Sequence, residues 1–400
     1  MKRILRRFSF WLLIGFILAG IWGPKCFKSS AETQVASPFS MPLWVKKDTS
    51  PTMSLALEPK REHVQFEWNW EAPPNITIWG TAKFEKETSA SLILENPNGE
   101  TILLAQNEGN TFLAVDVDGR DMSFKMGLGL SPFDDPMKEL FPTKGRYTIK
   151  LWPPDVKIKS GAINIRIEGS RWGLLGTDQR GRDVFHLFLL GIRISLLVGI
   201  SATLLATLLG VSVGLMAGYV GGLVDTILMR IVDVLLAIPG LPILMVLAGI
   251  WGKGLWQLVV ILSIFSWMGT ARTIRSLTLS LRESTFVEGL RALGAKPSYI
   301  MFRHLLPESL PILLANIALG VPSAILAEAG LSFLGLSDPR IISWGRMLNE
   351  AHGFGAFTTG AWWLILPPGI GISLICLAFL DLGRTLEEMA DPRLKGGANK

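Results

Sequence analysis

The sequence predicts an α-helical polytopic membrane protein with about six spans, carrying an inserted extracytoplasmic β-sandwich-like domain. Three observations predict it. Hydrophobic residues make up 49% of the chain and charged residues only 18%, against about 25% charged in soluble proteins. Apolar stretches near 194–217, 227–250, 255–271, 310–334 and 361–381, with Phe8–Trp22 ahead of them, each approach the roughly 20 residues a bilayer-spanning helix needs. Residues 25–170 differ, with short runs of strict two-residue alternation separated by turn residues, the pattern of half-buried strands.

Taken in order, Lys2, Arg3, Arg6 and Arg7 precede the first apolar run. Basic-then-apolar is the shape of a signal peptide, but no small-x-small cleavage site precedes Lys25, and bulky Ile21 and Trp22 close the run. Residues 1–24 are therefore expected to form a cytoplasmic tail and an uncleaved first span, following the positive-inside rule. In 25–170, Val64, Phe66, Trp68 and Trp70 share one face, and Ile76, Ile78 and Phe84 repeat the parity. The pairs Leu92–Leu94 and Ile102–Leu104 flank Asn96-Pro97-Asn98-Gly99, a hairpin signal. Tyr147, Ile149 and Leu151 alternate, as do Ile163, Ile165 and Ile167. Such strands suggest a two-sheet domain beyond the membrane.

Residues 171–193 form a pre-helix segment, with 185–190 expected to lie along the interface, and 194–384 hold the remaining spans. The internal segment 272–308 carries Arg272, Arg275, Arg282, Arg291, Lys296 and Arg303 and is the most basic among the spans. An even span count places it in the cytoplasm together with the 385–400 tail, in agreement with Arg384, Arg393 and Lys395. The expectation is a multi-pass protein of the cell inner (plasma) membrane with both termini cytoplasmic.

Several function classes find no support in the residues. The formal charge of +6 comes from cations at the ends of apolar segments and in one internal loop, which indicates membrane orientation and not nucleic acid. No glycine-rich phosphate loop is present. His63, His186, His304 and His352 lack metal-ligand spacing, so no metal site is expected. No serine or cysteine sits in a nucleophile motif. Asp134-Asp135, beside Pro132 and Pro136, reads as a solvated turn, and Cys26 and Cys376 read as free thiols. No catalytic residue and no enzyme activity are expected of this chain. Among charges near the spans, Asp225 and Arg230 sit by a helix start, while Asp233 is deeper and has Arg230 three residues before it as its expected partner.

The cytoplasmic segment is the informative one. Ser284 is placed to cap a short helix carrying Glu288, Arg291 and Ala292; Gly294 allows a left-handed turn; Pro297 opens the next helix. Taken alone, the segment also reads as a plain solvated connector. Residues 286–307 resemble the EAA loop of binding-protein-dependent ABC importer permeases, with Glu288, Gly294, Leu306 and Pro307 at matching positions and Gly289-Leu290 in place of two alanines. Leu175-Gly176-Thr177-Asp178-Gln179-Arg180-Gly181-Arg182-Asp183 is similar to a signature of the dipeptide, oligopeptide and nickel group, specifically its C-type subunit. So are Asp233–Gly240, Gly330–Leu336, Ser343-Trp344-Gly345 and Asp391-Pro392-Arg393. The resemblance spans about 172–395 and leaves most of 25–170 uncovered.

This resemblance implies a type I ABC importer permease fold forming half of a translocation pathway, with peptides as cargo or, alternatively, nickel or another small solute. It implies a second, paralogous permease, two ATP-binding cassette subunits that use the ATP, and an extracytoplasmic substrate-binding protein, with no cofactor on this chain. Glu288, Gly289, Arg291, Ala292, Gly294 and Pro307 are the expected ATPase-coupling residues. Pro239 and Pro242 remove backbone donors within one span and mark an expected hinge. A membrane-anchored sensor and an ion-driven secondary transporter are the competing classes, separated from this one by co-purification with an ATPase.

Overall fold

The computed structural model describes residues 8–27, 30–45, 49–59, 61–107 and 109–390. The basic residues at 2–7, the Asp391-Pro392-Arg393 motif and Lys395 lie outside them. The chain divides into two compact units, Ser29–Phe185 and Met1–Lys28 with His186–Lys400.

Among the described residues of the first unit, eight antiparallel strands form two four-stranded sheets. They are β1 (Met53–Leu57), β2 (His63–Trp68), β3 (Asn75–Phe84), β4 (Ser91–Glu95), β5 (Thr101–Gln106), β6 (Phe112–Asp118), β7 (Gly145–Trp152) and β8 (Ile158–Glu168). One sheet has the order β1-β8-β3-β6 and the other β2-β7-β4-β5. The period-2 residues explain the arrangement. Val64, Phe66 and Trp68 of β2, Tyr147, Ile149 and Leu151 of β7, and Ile163, Ile165 and Ile167 of β8 are all buried in one cluster drawn from both sheets. Trp70 lies just past the end of β2 and packs at the edge of this core. The β4–β5 turn follows the hairpin signal: Asn96 Oδ1 accepts from the backbone N–H groups of Asn98 and Glu100, and Gly99 takes φ +85°. The Tyr147 hydroxyl donates to the Thr143 carbonyl four residues upstream, a tyrosine-corner arrangement that ties the strand to the preceding loop. Two short helices, α2 (Met122–Gly127) and α3 (Pro136–Leu140), join β6 to β7.

The second unit is helical. Its elements are α1 (Phe8–Trp22), α4 (Val184–Val220), α5 (Gly222–Ala237), α6 (Gly240–Trp251), α7 (Leu255–Arg282), α8 (Thr285–Ala292), α9 (Pro297–Ile300), α10 (Leu306–Phe333), α11 (Trp344–Gly353) and α12 (Leu366–Ala390). Among the described residues, five helical stretches are long and apolar enough to cross a membrane, and a sixth crossing exists if α5 and α6 count as one.

Three sequence expectations are corrected. The 185–190 stretch is not a separate interfacial segment, because α4 runs unbroken for 37 residues, about 55 Å at 1.5 Å per residue. The 227–250 span is two helices bent by 89°. A proline kink inside one continuous helix does not describe it; the chain breaks at Ile238, whose extended backbone (ψ 131°) is the conformation a following proline imposes. The basic segment 272–308 is also mostly helix, since Arg272, Arg275 and Arg282 belong to α7. A helical path resumes at Pro297, through a wide π turn at Met301–Leu305, before α10.

Close packing of α4 on α7 rests on missing side chains. Gly210, Gly214 and Gly218 recur every four residues on one α4 face. A Cβ on each would lie 2.6, 2.7 and 2.8 Å from the carbonyl oxygens of Trp267, Ala271 and Arg275. Only glycine lets the two backbones approach this closely, the small-residue packing expected of membrane helices.

Candidate functional site

The segment between α7 and α10 is built as a folded platform. Ser284 occupies the cap position of α8, and its carbonyl accepts the Glu288 N–H at 3.1 Å. Its hydroxyl does not cap the helix as expected but donates back to the Leu281 carbonyl at 2.6 Å. The hydroxyl is engaged with the end of α7, and its oxygen accepts no α8 amide.

The end of α8 follows the glycine signal. Gly294 has φ +78°, its N–H donates to the Arg291 carbonyl, and the Ala295 N–H donates to the Leu290 carbonyl. This pair of bonds is a Schellman motif. Leu290 and Ala295 also pack against one buried cluster with Val287, Ile300, Leu305, Ile274 and Tyr219, the apolar contact that accompanies that motif. Leu290, which replaces a family alanine, therefore faces its own protein, while Gly289 is exposed. Pro297 opens α9, where a missing N–H costs nothing.

Glu288, Gly289, Arg291, Ala292 and Gly294 are all exposed, as are Phe286, Leu293, Tyr299 and Phe302 around them. Pro307 is exposed too and sits in the first turn of α10, beyond the π turn. The Arg291 guanidinium lies over the Tyr219 ring, 5.1 Å from its centroid, a cation–π contact. Arg282 Nη1 donates to the Tyr219 carbonyl at 3.1 Å. The end of α4 is thus held to α8 by a residue that no motif singles out; Tyr219 lies far upstream, and only the fold brings it here. His304, whose sequence spacing suits no metal, is wedged edge-on between Phe286 and Tyr299, with ring centroids 5.1 and 5.3 Å away.

The two hinge prolines have different roles in the fold. Pro239 stands at the α5–α6 break as the cap of α6. Pro242 lies in the first turn of α6, where its missing N–H removes no intrahelical bond. Beside the break, Asp233 is held by Arg272 of α7 at 2.5 Å, not by Arg230. Asp225 is held by two Arg275 nitrogens, Nε and Nη2, the Nη2 contact measuring 2.6 Å. Both guanidinium groups reach across from α7 and tie it to α5 by charge-assisted hydrogen bonds.

The signature at 175–183 is a structural brace. Asp178 Oδ1 accepts the backbone N–H groups of Arg180 and Arg182 at 2.9 Å each, and its Oδ2 accepts Arg182 Nε at 2.6 Å. Arg182, only 2% exposed, also reaches Glu32. Asp183 Oδ1 accepts the Phe185 N–H at the start of α4, and Oδ2 accepts the Trp172 indole N–H. A further acid escaped the sequence reading: Glu328 of α10 is buried, with the Ser332 hydroxyl 2.6 Å and the Ser195 hydroxyl 3.4 Å from its two oxygens. An acid within an apolar span is itself the available signal.

The fold and this platform define a multi-pass membrane subunit in which a short exposed helix is inserted between two spanning helices. Residues 210–395 match the family of binding-protein-dependent transport system inner membrane components. A putative peptide permease protein of Brucella suis biovar 1 (strain 1330) is 41% identical over 252 residues, covering 62% of this chain and 82% of its own. The dipeptide transport system permease protein DppC of Bacillus subtilis (strain 168) is 39% identical over 233 residues, covering 58% of this chain and 72% of its own. Among solved structures, an inward-facing MetNI methionine ABC transporter aligns over 50% of this chain and 96% of its own, at 22% identity and a TM-score of 0.39. The chain belongs to the binding-protein-dependent transport system inner membrane component family. It is the permease component of an ABC importer, a multi-pass subunit of the inner membrane. The two-sheet unit lies outside the residues that the family model matches.

Proposed function

We propose that this permease carries small peptides, forming half of a pathway completed by a paralogous second permease. A binding protein delivers the peptide at the outer face, and two separate ATPase subunits supply the ATP-driven step. The two-sheet unit is extracytoplasmic, and both termini are cytoplasmic. The relatives' names support peptide as the cargo class.

The observation that carries the coupling role is the exposed surface of α8. Glu288 and Gly289 stand open to a partner, while Val287 and Leu290 on the opposite side are packed into the permease. A short amphipathic helix of this kind suits insertion into a groove of a partner. Glu288, Gly289, Arg291 and Ala292 form that docking surface and Gly294 sets its angle. Pro307 shapes the helix that receives the motion, and Pro239 with Pro242 marks the bend in the pathway.

The test is Glu288→Lys in the full complex, with uptake of a labelled dipeptide, ATP hydrolysis and subunit co-purification measured together. Loss of uptake with normal membrane insertion is expected. Normal uptake and normal ATPase co-purification overturn the assignment.

A further inference from the structure

The two-sheet unit presents an apolar knob that neither of its sheets explains. Leu43, Trp44 and Leu174 are 48%, 63% and 57% exposed, and none of them lies in a strand. Scattered exposed apolar residues are ordinary, but these are bound to one another. The Leu43 N–H donates to the Gly173 carbonyl at 3.1 Å, and the Trp44 indole N–H donates to the Leu174 carbonyl at 2.8 Å. Flanking bonds from Met41 to Ser170 and from Trp172 to Met41, both 2.8 Å, lock the two segments together.

We propose that Leu43, Trp44 and Leu174 form a membrane-contact patch that inserts into the bilayer surface. The occupant follows from three features. Leu174 precedes Val184, the first residue of the spanning helix α4, by only ten positions, so a short stretch of chain ties the patch to a membrane-crossing helix. The indole N–H is already satisfied by a backbone carbonyl, so the ring can enter an apolar phase without stranding a donor. Lys46 and Lys47 follow Trp44 in the sequence, and a Trp with neighbouring cations is the composition of membrane–water boundaries. A groove-binding peptide would call for a concave surface, whereas these side chains project from turns.

The experiment uses the full chain in proteoliposomes, with Cys26→Ser and Cys376→Ala as background. A polarity-sensitive fluorophore is attached in turn to Leu43→Cys, Trp44→Cys, Leu174→Cys and, as a control, Asn98→Cys on the exposed β4–β5 turn. Contact at the headgroup–acyl boundary, about 5–10 Å deep, predicts a blue shift and loss of more than about half the emission with shallow nitroxide lipids at 43, 44 and 174. The label at 98 responds to aqueous iodide only. Three independent positions guard against one variant misfolding. Iodide access at all three equal to that at 98 overturns the proposal, as does shielding from both quenchers, which means that protein covers the patch. Peptide cargo and ATPase coupling enter none of these readouts, so failure of the transport reading leaves this test intact.

Discussion

Substituting Gly294 separates the shape of the coupling turn from the contact it presents. The residue sits at φ +78°, and a Cβ added there meets no heavy atom within 4 Å. Steric packing therefore adds nothing, and the cost is backbone strain alone: about 1–2 kcal/mol for an L-residue in the left-handed region, and more for a β-branched one. One or two kcal/mol shifts a local equilibrium by about 5–30-fold. That is enough to depopulate the two Schellman bonds at Arg291 and Leu290 without unfolding the spans. Asn visits this region more readily than other residues, so dipeptide uptake per ATP hydrolysed is expected to fall in the order Gly, Asn, Ala, Val. The assay is tracer uptake and phosphate release in proteoliposomes holding the complete complex, normalised to inserted permease. Full uptake by Gly294→Val refutes the reasoning. Equal failure of Asn and Val refutes the strain argument in particular, because it shows that the partner requires the absence of any side chain.

Other outcomes follow from the same geometry. Gly214→Leu places atoms against the Ala271 carbonyl, which a Cβ alone approaches to 2.7 Å; a loss of at least about 1–3 kcal/mol should appear as poor accumulation of monodisperse protein. Gly249→Leu, with nothing within 4 Å, should be tolerated. At the α5–α7 pair, Asp233→Asn removes the carboxylate that Arg272 meets and should lower thermal stability; the exchange Asp233→Arg with Arg272→Asp should restore thermal stability and uptake together. In the loop after α10, hydrogen bonds from the Arg340 side chain and then its backbone hold the Asp338 carboxyl below the usual carboxylate range. Its stabilisation is present above the unfolded value and is lost as pH falls through the lower folded value. Because Arg340 is well exposed, solvent screens the pair and the effect stays local. Hydrogen exchange at 336–341 should rise below about pH 4 in the native chain and lose that dependence in Asp338→Asn.

Local chemistry is legible in the sequence wherever one segment decides it. The strand faces at Val64–Trp68, Tyr147–Leu151 and Ile163–Ile167 follow from alternation, and the turns at Asn96–Gly99 and Gly294 follow from residues suited to them. The short helix carrying Glu288 is visible for the same reason. What escapes requires a distant partner. Arg230 is the local choice for Asp233, but Arg272 reaches it across the α5–α7 interface. Leu290 stands in the sequence as a departure from an alanine, and only its packing beside Ile300 and Leu305 turns it inward. Charge counting places Arg272, Arg275 and Arg282 in a loop because cations ordinarily end a span, whereas ion pairs with Asp225 and Asp233 and a bond to the Tyr219 carbonyl keep them helical.

Those contacts constrain how motion can leave α8. Val287 and the Arg291–Tyr219 pair fasten α8 to the end of α4, and α7 and the α9–α10 path join it covalently on either side. Three glycines then seat α4 on α7, and two ion pairs fasten α5 to α7. Under the proposed coupling role, an ATPase that displaces α8 cannot tilt α10 alone; α4, α7 and α5 are attached to the same platform. The break at Ile238–Pro239 turns the chain by 89° between two separate seats: Val232 of α5 packs with Met268 and Ala271 of α7, whereas Leu244 and Ala248 of α6 pack in another cluster with α4, α7 and α10. Bending is therefore expected at this junction and not within α7. Cross-linking α5 to α7 should leave transport intact, whereas a cross-link that fixes the angle between α5 and α6 should stop it; the reverse result rejects this division of the helices.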